Sequence, residues 1–493
     1  MASNAQYTSS SAESQPRQAL EAALGSSVLT PDDPEYAARI ESYWCNSAKL
    51  RPAYILQPRS AAEVAKAVKV LADASLPFAV RGGGHTNWAG SNNIAGGVTI
   101  DLGAYLNRTR YHADTQLAEL EPGAKWKDVY AELEKHGRVV AGGREAEVGV
   151  GGYLLGGGMA FQSASYGLAC DSVVEYEVVL ADGSIVVADA KGDHADLFRA
   201  LKGGSNNFGI VTRFTMRTIP AGPIWGGMAV RPMSTLTASA DATVNFTANI
   251  SKDPDSNFQL VVGHQPQVGS GDDADVVIHI CNNMAAVEKP EALRELLAME
   301  VRMGNFETTT LQKVLPLASL PTNYYNIWYT VTFKNDASIT LKAAELHGQL
   351  VEELKSKVTD GDFTSHVAFQ PLPQLIVDKS QATNEGGNIL GLEQNPGDAI
   401  LMQAGVSVRT PELAKWVDPK VAALLEGVKS FASTIDGGLL PWIYLNYAHP
   451  SQKVLQSYGP ENVQRMRDAA SRYDPGGVFQ HLCPGGFKIS AVS

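Results

Sequence analysis

Arg81-Gly82-Gly83-Gly84-His85 is the stretch that decides how the rest of the chain is interpreted. A second glycine-rich run, GVGGYLLGGG over residues 149–158, lies in the same third of the chain. Three consecutive glycines leave a bare backbone that can approach a ligand closely and direct several N–H groups at it. One such run is usually a flexible surface turn. Two runs that each follow an apolar, strand-like segment instead favour two bare backbones flanking one anionic ligand.

Five segments, taken in order, resemble the signatures of one flavoprotein family. Residues 81–90 (RGGGHTNWAG) are similar to the flavin-attachment loop of the FAD-linked oxidases related to berberine bridge enzyme, which have the PCMH-type FAD-binding fold of vanillyl-alcohol oxidase. The other segments are residues 149–158, 205–211 (SNNFGIV), 444–447 (YLNY) and 473–479 (YDPGGVF). The resemblance runs from about residue 40 to the end and is to the microbial or fungal type. Five motifs in order are far more specific than any one of them.

The resemblance implies a two-domain α+β fold. An FAD-binding domain would span residues 36–220 and be completed by residues 441–493. A substrate domain, an antiparallel sheet covered by helices, would occupy residues 221–440. The residues also favour α+β directly, because strands and helices mix without a regular β-α-β repeat. Residues 1–35, which are rich in Ser and Ala, predict a disordered arm with one short helix near Gln18 to Leu24.

Local patterns predict individual elements. Ser60 and Glu63 form a capping box, and the helix they open has an apolar face. Phe78-Ala79-Val80 is typical of a buried strand that leads into the first glycine run. Asp182-Gly183, between two β-type segments, predicts a hairpin, and a strand is predicted over residues 210–219. In the central part of the chain, helices are predicted over residues 341–358 and 421–430, and strands over residues 258–262, 276–280, 327–333 and 402–408.

The resemblance implies FAD as the cofactor, bound by residues of the first four motifs and of the stretch before the second glycine run. They are Arg81, Gly82, Gly83, Gly84, His85, Gly90, Gly142, Val148, Gly149, Gly151, Gly152, Tyr153, Gly156, Gly157, Asn207, Gly209, Ile210, Val211, Asn446 and Tyr447. The pyrophosphate needs close backbone approach and N–H donors, which both glycine runs could supply. NAD is disfavoured, because the second run lacks a following helix start and the acidic residue of a dinucleotide fingerprint.

His85 is the residue predicted to carry a covalent link to FAD. A lone histidine is more often a structural hydrogen-bonding group, but a neutral imidazole is nucleophilic and the 8α carbon of oxidised flavin is electrophilic. Proteins that resemble this one use the histidine of this loop. Many of them add a cysteine shortly before the second loop. Glu145 occupies that position here, so a single link is expected. Cys170 lies too late in the chain and is assigned to core packing.

Tyr444 is the candidate base that takes a proton as hydride leaves the substrate. The basis is the resemblance, because family members use a tyrosine in this motif. A phenol with a pKa of about 10 needs a nearby positive charge for this role, and the sequence does not identify one. That Tyr444 only lines the pocket is an equal alternative. Tyr153 falls where many plant members have a histidine beside the flavin N1–C2 carbonyl, to which a phenol could still donate a hydrogen bond.

Composition and charge exclude several classes of function. The net charge of −12, from 40 basic and 52 acidic residues, disfavours nucleic-acid and anionic-membrane binding. The four cysteines form no C-x-x-C pair, and His481 with Cys483 is too weak a pair to predict a metal site. Neither a membrane-spanning apolar run nor a secretory h-region is apparent, so an intracellular location is expected, with a mature secreted form left open.

The predicted function is that of an FAD-dependent oxidase acting on an alcohol or amine carbon of a small organic metabolite of specialised metabolism. O₂ would be the electron acceptor and H₂O₂ the by-product. A flavin-bound cyclase or isomerase without net redox turnover is one alternative, because relatives that steer cycloadditions have this fold. An oligosaccharide oxidase is another. The sequence identifies neither the substrate nor the oligomeric state.

Overall fold

The computed structural model describes residues 14–269, 271–383 and 385–492. Up to residue 220, helices and short strands alternate irregularly. The strands are β1 (Val28–Leu29), β2 (Tyr54–Leu56), β3 (Phe78–Arg81), β4 (Val98–Asp101), β5 (Thr109–His112), β6 (Leu117–Leu120), β7 (Arg138–Val139), β8 (Val173–Val179), β9 (Ile185–Asp189), β10 (Ile210–Arg217) and β11 (Ile219–Pro220). The helices are α1 (Ser14–Leu24), α2 (Pro34–Glu41), α3 (Ala61–Asp73), α4 (Trp126–Glu134), α5 (Val150–Leu155), α6 (Ser163–Tyr166) and α7 (Ala195–Leu201).

Two small sheets organise this N-terminal region. The first has the order β1-β2-β4-β3, with β4 parallel to both β2 and β3. The second, antiparallel sheet has the order β5-β6-β10-β8-β9, and β7 pairs with β11. The hairpin β8–β9 confirms the prediction made from Asp182-Gly183, where Gly183 takes φ +82°. The predicted strand over residues 210–219 is interrupted at Thr218, between β10 and β11.

Helix α3 shows how the sequence builds the support for the first glycine run. The Ser60 side chain accepts a hydrogen bond from the Glu63 amide at 3.3 Å, which confirms the predicted N-cap. Four residues at helical spacing are wholly buried: Val64, Ala67, Val68 and Leu71. They pack with Phe78 of β3 in one core cluster. Because β3 ends at Arg81, the glycine run begins where a buried strand stops.

The N-terminal arm corrects one prediction. Residues 1–13 lie outside the described residues, but residues 14–35 are ordered, so the disorder predicted for them is wrong. Leu20 and Leu24 of α1 join the core cluster beneath α3, which confirms the short helix near Gln18 to Leu24, and β1 pairs with β2. The prediction rested on the average polarity of the segment. These leucines recur at helical spacing, and the apolar surface that they bury holds the segment against the core.

The central region, from about residue 221 to 440, is one antiparallel sheet of the order β15-β12-β14-β13-β17-β18-β16-β19. Its strands are β12 (Ile224–Pro232), β13 (Ser256–His264), β14 (Asp275–Asn283), β15 (Met303–Thr309), β16 (Tyr325–Lys334), β17 (Phe363–Leu372), β18 (Ala399–Val408) and β19 (Leu439–Leu440). The helices are α8 (Leu236–Asn249), α9 (Arg294–Leu297), α10 (Leu311–Val314), α11 (Ala337–Lys357), α12 (Gln374–Thr383) and α13 (Pro411–Ala432).

The two faces of this sheet differ as strand periodicity requires. One face packs against α8, α11 and α13 and contributes alternate residues such as Leu260, Phe369 and Met402 to a continuous core. The residues between them, such as Gln259, Gln370 and Gln403, point the other way and line a cavity. The predicted sheet, covered by helices on one face and lining a pocket with the other, is therefore confirmed.

The C-terminal segment returns to the N-terminal region with α14 (Pro460–Tyr473) and α15 (Val478–His481). The Tyr473 hydroxyl donates to Asp196 of α7 at 2.6 Å. The amide of Phe78 donates to the carbonyl of Leu482 at 2.6 Å, which extends the hydrogen bonding at the edge of β3. Among the described helices, none combines the length and the apolar character that crossing a membrane requires.

Candidate active site

A cavity of about 530 Å³ lies between the N-terminal region and the uncovered face of the large sheet. This volume is within the usual range for small-molecule sites. The first glycine run, α5 and the segments around residues 205–211 and 444–447 form its N-terminal side. The sheet side is formed by Met228, Gln259, Val261, Ile278, Ile280, Trp328, His366, Ala368, Gln370 and Gln403.

Fifteen of the residues predicted from the motifs line this cavity. They are Gly82, Gly83, Gly84, His85, Val148, Gly149, Gly151, Gly152, Tyr153, Gly209, Ile210, Val211, Tyr444, Asn446 and Tyr447. Six others do not line it: Arg81, Gly90, Gly142, Gly156, Gly157 and Asn207. The motifs therefore contain both residues that face the cavity and residues that hold those residues in place.

Arg81 holds the first glycine run from behind. Its guanidinium donates to the Arg39 carbonyl and the Ser42 hydroxyl, each at 2.8 Å, and lies 3.8 Å from the centre of the Tyr43 ring. Gly84 takes φ +75°, and a Cβ there would lie 2.9 Å from this guanidinium. Arg81 thus contributes to the shape of the loop, and the direct cofactor contact predicted for it stays a prediction.

The first glycine run presents a row of unpaired amides. The N–H groups of Gly83, Gly84, His85 and Thr86 find no acceptor within the part of the chain that is described. A backbone of this kind is suited to bind an anion such as a pyrophosphate. A Cβ on Gly83 would lie 2.5 Å from the Cα of Gly149, so the two glycine runs touch backbone to backbone.

The second glycine run differs from its prediction. Gly149 is the N-cap of helix α5, so the run contains a helix start rather than lacking one. The amides of Val150 and Gly151 donate to the carbonyls of Ala124 and Pro122, at 2.9 and 3.1 Å, and offer nothing to an anion. The residues between the glycines explain the difference, because Val150 and Leu154 are wholly buried at helical spacing. Gly152 faces the cavity, and no atom lies within 4 Å of a Cβ built there.

His85 is placed as a neutral, oriented imidazole. Its ring stacks on Trp44, with 4.2 Å between centroids and 6° between planes. Burial lowers the pKa of His85 to about 4. Its Nε2 lies 3.6 Å from Oε2 of Glu145, and that same oxygen accepts the amides of Glu147 and Val148 at 2.8 Å. The residue at the predicted cysteine position is therefore a fixed carboxylate facing His85.

The thiols are placed differently. Cys170 is wholly buried outside the cavity lining, and burial raises its pKa well above the usual value. Cys483 does reach the lining, but it is wholly buried and its pKa is also raised by burial. A buried, protonated thiol is a poor nucleophile. Within the described ranges, no group of three or more His, Cys, Asp or Glu side chains could hold a metal ion.

The C-terminal aromatic motif anchors Tyr444. Its hydroxyl accepts hydrogen bonds from the Met159 amide at 2.9 Å and from the Asn446 side chain at 3.1 Å. Asn446 also donates to the Tyr153 carbonyl at 3.0 Å, which ties the motif to α5. Burial is the main cause that raises the pKa of Tyr444. Its ring meets that of Tyr447 edge to face, 4.8 Å between centroids.

Arg144 is the positive charge that the sequence did not identify. Its Nη2 donates to Oε1 of Gln370 and to the hydroxyl of Tyr447, the latter at 3.3 Å. The residue is 9% exposed, and its charge lowers the pKa of Tyr444 against the larger effect of burial. The signal was available, since Arg144 is the single basic residue in Gly142-Gly143-Arg144-Glu145, which leads directly into the second glycine run.

Tyr153 lines the cavity with its ring. Its hydroxyl donates to the carbonyl of Gly142 at 3.1 Å, and its ring packs edge-on against Trp126 at 5.1 Å. The predicted donation to a flavin carbonyl is therefore not available in this arrangement, because a phenol has one proton to give. Gly142 serves as the acceptor for Tyr153, and a Cβ on it would enter the Trp126 ring.

Asn207 connects the third motif to the C-terminal segment. Its side-chain N–H₂ donates to the carbonyls of Gly204 and Phe487, at 2.7 and 2.9 Å, and its Oδ1 accepts the Ile489 amide at 3.1 Å. The whole side-chain amide is thus engaged within the protein, and the predicted contact of Asn207 with the cofactor stays a prediction. The neighbouring Gly209, Ile210 and Val211 line the cavity instead.

Three predicted glycines shape the lining from outside it. A Cβ on Gly156 would meet Asn446, and one on Gly157, which takes φ +102°, would lie 3.2 Å from Leu390. Gly90 takes φ +86°, and a Cβ on Gly485 would collide with the Gly90 carbonyl oxygen. They permit close packing beside the cavity, and their assignment as direct cofactor contacts stays a prediction.

The sheet wall carries several polar side chains but is nearly uncharged. His366 Nε2 and Gln403 Oε1 are 2.8 Å apart, and burial lowers the pKa of His366. Gln259 and Gln370 add two further side-chain amides, and Trp328 packs edge-on to Tyr447 at 6.1 Å. Sequence analysis missed the residues on β17, although the alternation in SHVAFQ, residues 365–370, is a strand signal that could have shown them.

The fold and this cavity define an FAD-linked oxidoreductase. Residues 52–189 match the family model described as an FAD binding domain. The FAD-dependent monooxygenase drtC of Aspergillus calidoustus is 36% identical over 477 residues, which cover 96% of this chain and 89% of that protein. Bifunctional solanapyrone synthase of Alternaria solani is 32% identical over 474 residues, covering 95% of this chain and 88% of that protein. The chain therefore belongs to the family of FAD-linked oxidoreductases that contains these fungal relatives.

Solved structures show the same fold. 6-Hydroxy-D-nicotine oxidase from Arthrobacter nicotinovorans matches with a TM-score of 0.73 at 22% identity, over 94% of this chain and 97% of that one. Glucooligosaccharide oxidase from Acremonium strictum, described with a 6-S-cysteinyl, 8α-N1-histidyl FAD, matches with a TM-score of 0.72 at 17% identity, over 93% of this chain and 97% of that one. The predicted α+β, vanillyl-alcohol-oxidase-like fold is confirmed.

Proposed function

We propose that this protein is an FAD-dependent oxidase that holds FAD covalently through His85 alone. It removes hydride from an alcohol or amine carbon of a small, specialised metabolite and passes the electrons to O₂, giving H₂O₂. The observation that carries the proposal is the cavity in which free amides, a neutral imidazole and paired tyrosines face an uncharged sheet wall. Residues 36–220 with 441–493 form the FAD-binding domain, and residues 221–440 form the substrate domain.

The chain's residues fit FAD in chemical character. The amides of Gly83 to Thr86 are the donors for the pyrophosphate, and the cavity-facing Gly152 leaves room for close approach. The apolar Ile210 and Val211 form part of the wall. When bound, FAD supplies the hydride acceptor for the reaction. His85 is uncharged at neutral pH, so its nucleophilic nitrogen is available for the covalent link, and Glu145 orients the imidazole.

Tyr444 is the proposed base, with Tyr447 as the second candidate. Two N–H groups donate to the Tyr444 oxygen, which favours its ionised form against the effect of burial. The Tyr447 hydroxyl instead contacts Arg144 directly, at 3.3 Å. Both phenols are therefore placed where a proton could be taken from a substrate in the cavity, with one guanidinium to favour the ionised form.

The test compares the metabolites of a producing strain with those of its deletion mutant, and then supplies the accumulated compound to the purified enzyme. An oxidase reduces its flavin anaerobically and releases one H₂O₂ per product in air. Oligosaccharides are assayed in parallel. Accumulation of an oligosaccharide, or flavin that stays oxidised while product forms, would contradict the proposal, and the second result would identify a redox-neutral cyclase.

A monooxygenase is the second candidate function, because drtC, at 36% identity, carries that name. The two activities differ in the fate of the O₂ atoms. Turnover in ¹⁸O₂ leaves the product of an oxidase unlabelled, whereas a monooxygenase places one labelled oxygen atom in its product. Mass spectrometry of the product therefore separates the two functions without any assumption about the substrate.

A further inference from the structure

Arg144 is the only basic side chain among the described residues that line the cavity. The one acidic side chain of that lining is Glu145, which is directed at His85 and held by the amides of Glu147 and Val148. The two histidines of the lining, His85 and His366, have pKa values lowered by burial. At neutral pH the cavity therefore contains one fixed positive charge with no facing carboxylate.

The surroundings of Arg144 are neutral. Its guanidinium donates to the Gln370 side-chain oxygen and the Tyr447 hydroxyl, and no acidic group of the described chain lies within 4.0 Å of it to form an ion pair. A guanidinium that is 9% exposed and has no counter-ion is costly to bury. None of its nitrogens is both enclosed and without a partner among the described side chains, and the residue lines the cavity.

The sheet side of the cavity indicates the character of the rest of the ligand. Val261, Ile278, Ile280 and Ala368 offer an apolar surface, while Gln259 and Gln403 offer neutral hydrogen-bonding groups. An aromatic or otherwise flat apolar body with one ionised oxygen group matches this combination. The first glycine run is a different kind of donor set, because it offers unpaired backbone amides, whereas the Arg144 guanidinium is bonded to Gln370 and Tyr447.

We propose that Arg144, with Tyr447 and Gln370 as its positioning partners, forms an oxyanion-binding site. Its ligand is the carboxylate, acidic enol or phenol of an otherwise apolar substrate. The inference rests on the proposed function, because it assumes that the cavity holds a substrate beside FAD. The planar fork of a guanidinium suits two-point recognition of such an oxygen group and costs little reorganisation, since the contacts to Gln370 and Tyr447 already fix it.

The experiment uses the purified holoenzyme and two probes of one shape, benzoate and benzamide, measured by isothermal titration calorimetry at about pH 7.5, where a carboxylic acid is ionised. We expect wild type to prefer benzoate. Arg144→Gln should weaken benzoate binding roughly 10- to 100-fold, the range for a hydrogen bond to a charged group, and leave benzamide unchanged. Arg144→Lys, which keeps the charge without the fork, should recover part of the loss.

The control is Arg110→Gln, which makes the same change in net charge at an exposed residue outside the cavity. It should bind benzoate like wild type. Equal binding of both probes by wild type, or unchanged benzoate binding in Arg144→Gln, would overturn the proposal. If Arg144→Gln keeps the preference for benzoate but shifts the pH profile of flavin reduction, the proposal is also overturned. The charge of Arg144 would then act on the ionisation of Tyr444 and Tyr447 and not on an anionic ligand.

Flavin content separates this proposal from the proposed function. Wild type that purifies without FAD and does not bind it would refute the proposed function before any probe is added. Wild type that carries FAD and prefers benzoate, with the preference lost in Arg144→Gln and partly restored in Arg144→Lys, supports the anion site. If Arg144→Gln fails to fold or to retain FAD, the comparison of wild type with Arg144→Lys decides, and equal benzoate binding by these two would refute a role for the fork.

Discussion

The two glycine runs touch backbone to backbone, so a side chain on Gly83 is expected to force them apart. A methyl group on Gly83 would lie 2.5 Å from the Cα and 2.7 Å from the amide nitrogen of Gly149, whereas ordinary contact begins at 3.4 Å. The two backbones must therefore separate by about 0.9 Å in Gly83→Ala. Neither neighbour is a flexible side chain, so no rotamer change can relieve the clash.

Two consequences follow from that separation. Overpacking of this kind destabilises a fold by about 1–3 kcal/mol. Moving the amides of Gly83 and Gly84 by nearly 1 Å also disturbs the donors proposed for the pyrophosphate. The loss of one hydrogen bond to a charged group weakens binding roughly 10- to 100-fold. FAD titrated into His85→Ala protein, which cannot form the covalent link, should bind that much more weakly when Gly83→Ala is added, and urea unfolding should show the stability loss.

Two further variants make the prediction specific. Gly149→Ala should reproduce the effect, because its Cβ would lie 2.5 Å from the Cα of Gly83. Gly476→Ala should change nothing, because no atom lies within 4 Å of its Cβ and its φ is not positive. If Gly83→Ala lowers stability but leaves FAD affinity intact, the contact is structural and the amides are not the anion site. If both quantities stay at the parent values, the steric reasoning is wrong.

Four other predictions concern the proposed chemistry. Acid-precipitated wild type should stay yellow and His85→Ala should release its colour, with flavin mass on the His85 peptide and none on the Cys170 peptide. Because the pKa of His85 is lowered to about 4, its protonation should not limit covalent incorporation between about pH 5 and 8, and a rate that titrates near 6.5 would contradict this. Glu145→Gln should slow that incorporation about tenfold, with reversible FAD binding retained, since one charge-assisted contact is lost. Tyr444→Phe should slow anaerobic flavin reduction roughly 10²–10⁴-fold and spare reoxidation by O₂, whereas a normal rate would transfer the role to Tyr447, tested by Tyr447→Phe.

The N-terminal region was largely predictable, because its motifs are constrained by backbone geometry. Gly83 and Gly149 exclude any side chain where the runs meet, and Gly84 requires a positive φ beside Arg81. Such requirements leave a fixed pattern in the sequence. The prediction for the second glycine run was wrong where apolar residues lie between its glycines. Val150 and Leu154 turn a run that resembles a bare loop into a helix with engaged amides.

The sheet side of the cavity was much less predictable. Strands β12, β15 and β17 were missed, since Gly226 and Gly227 weaken the strand pattern of β12 and the exposed β15 lacks an apolar face. Arg144 was missed for a different reason. Its significance depends on Gln370 and Tyr447, which are 226 and 303 residues away in the chain. A local sequence pattern cannot predict the role of a charged residue whose partners come from distant parts of the chain.

The difference between the two sides determines which residues can change to alter substrate specificity. On the N-terminal side, a side chain added to Gly83 or Gly149 would collide with backbone atoms of the other glycine run. The geometry that suits FAD therefore tolerates few substitutions. On the sheet side, Gln259, Gln370 and Gln403 project from strands whose opposite face holds the core, so they can change without disturbing that core. Arg144 stands at the junction, on the N-terminal side but bonded to the sheet. A substitution there would therefore alter substrate choice and tyrosine ionisation together, whereas a substitution at Gln403 should alter substrate choice alone.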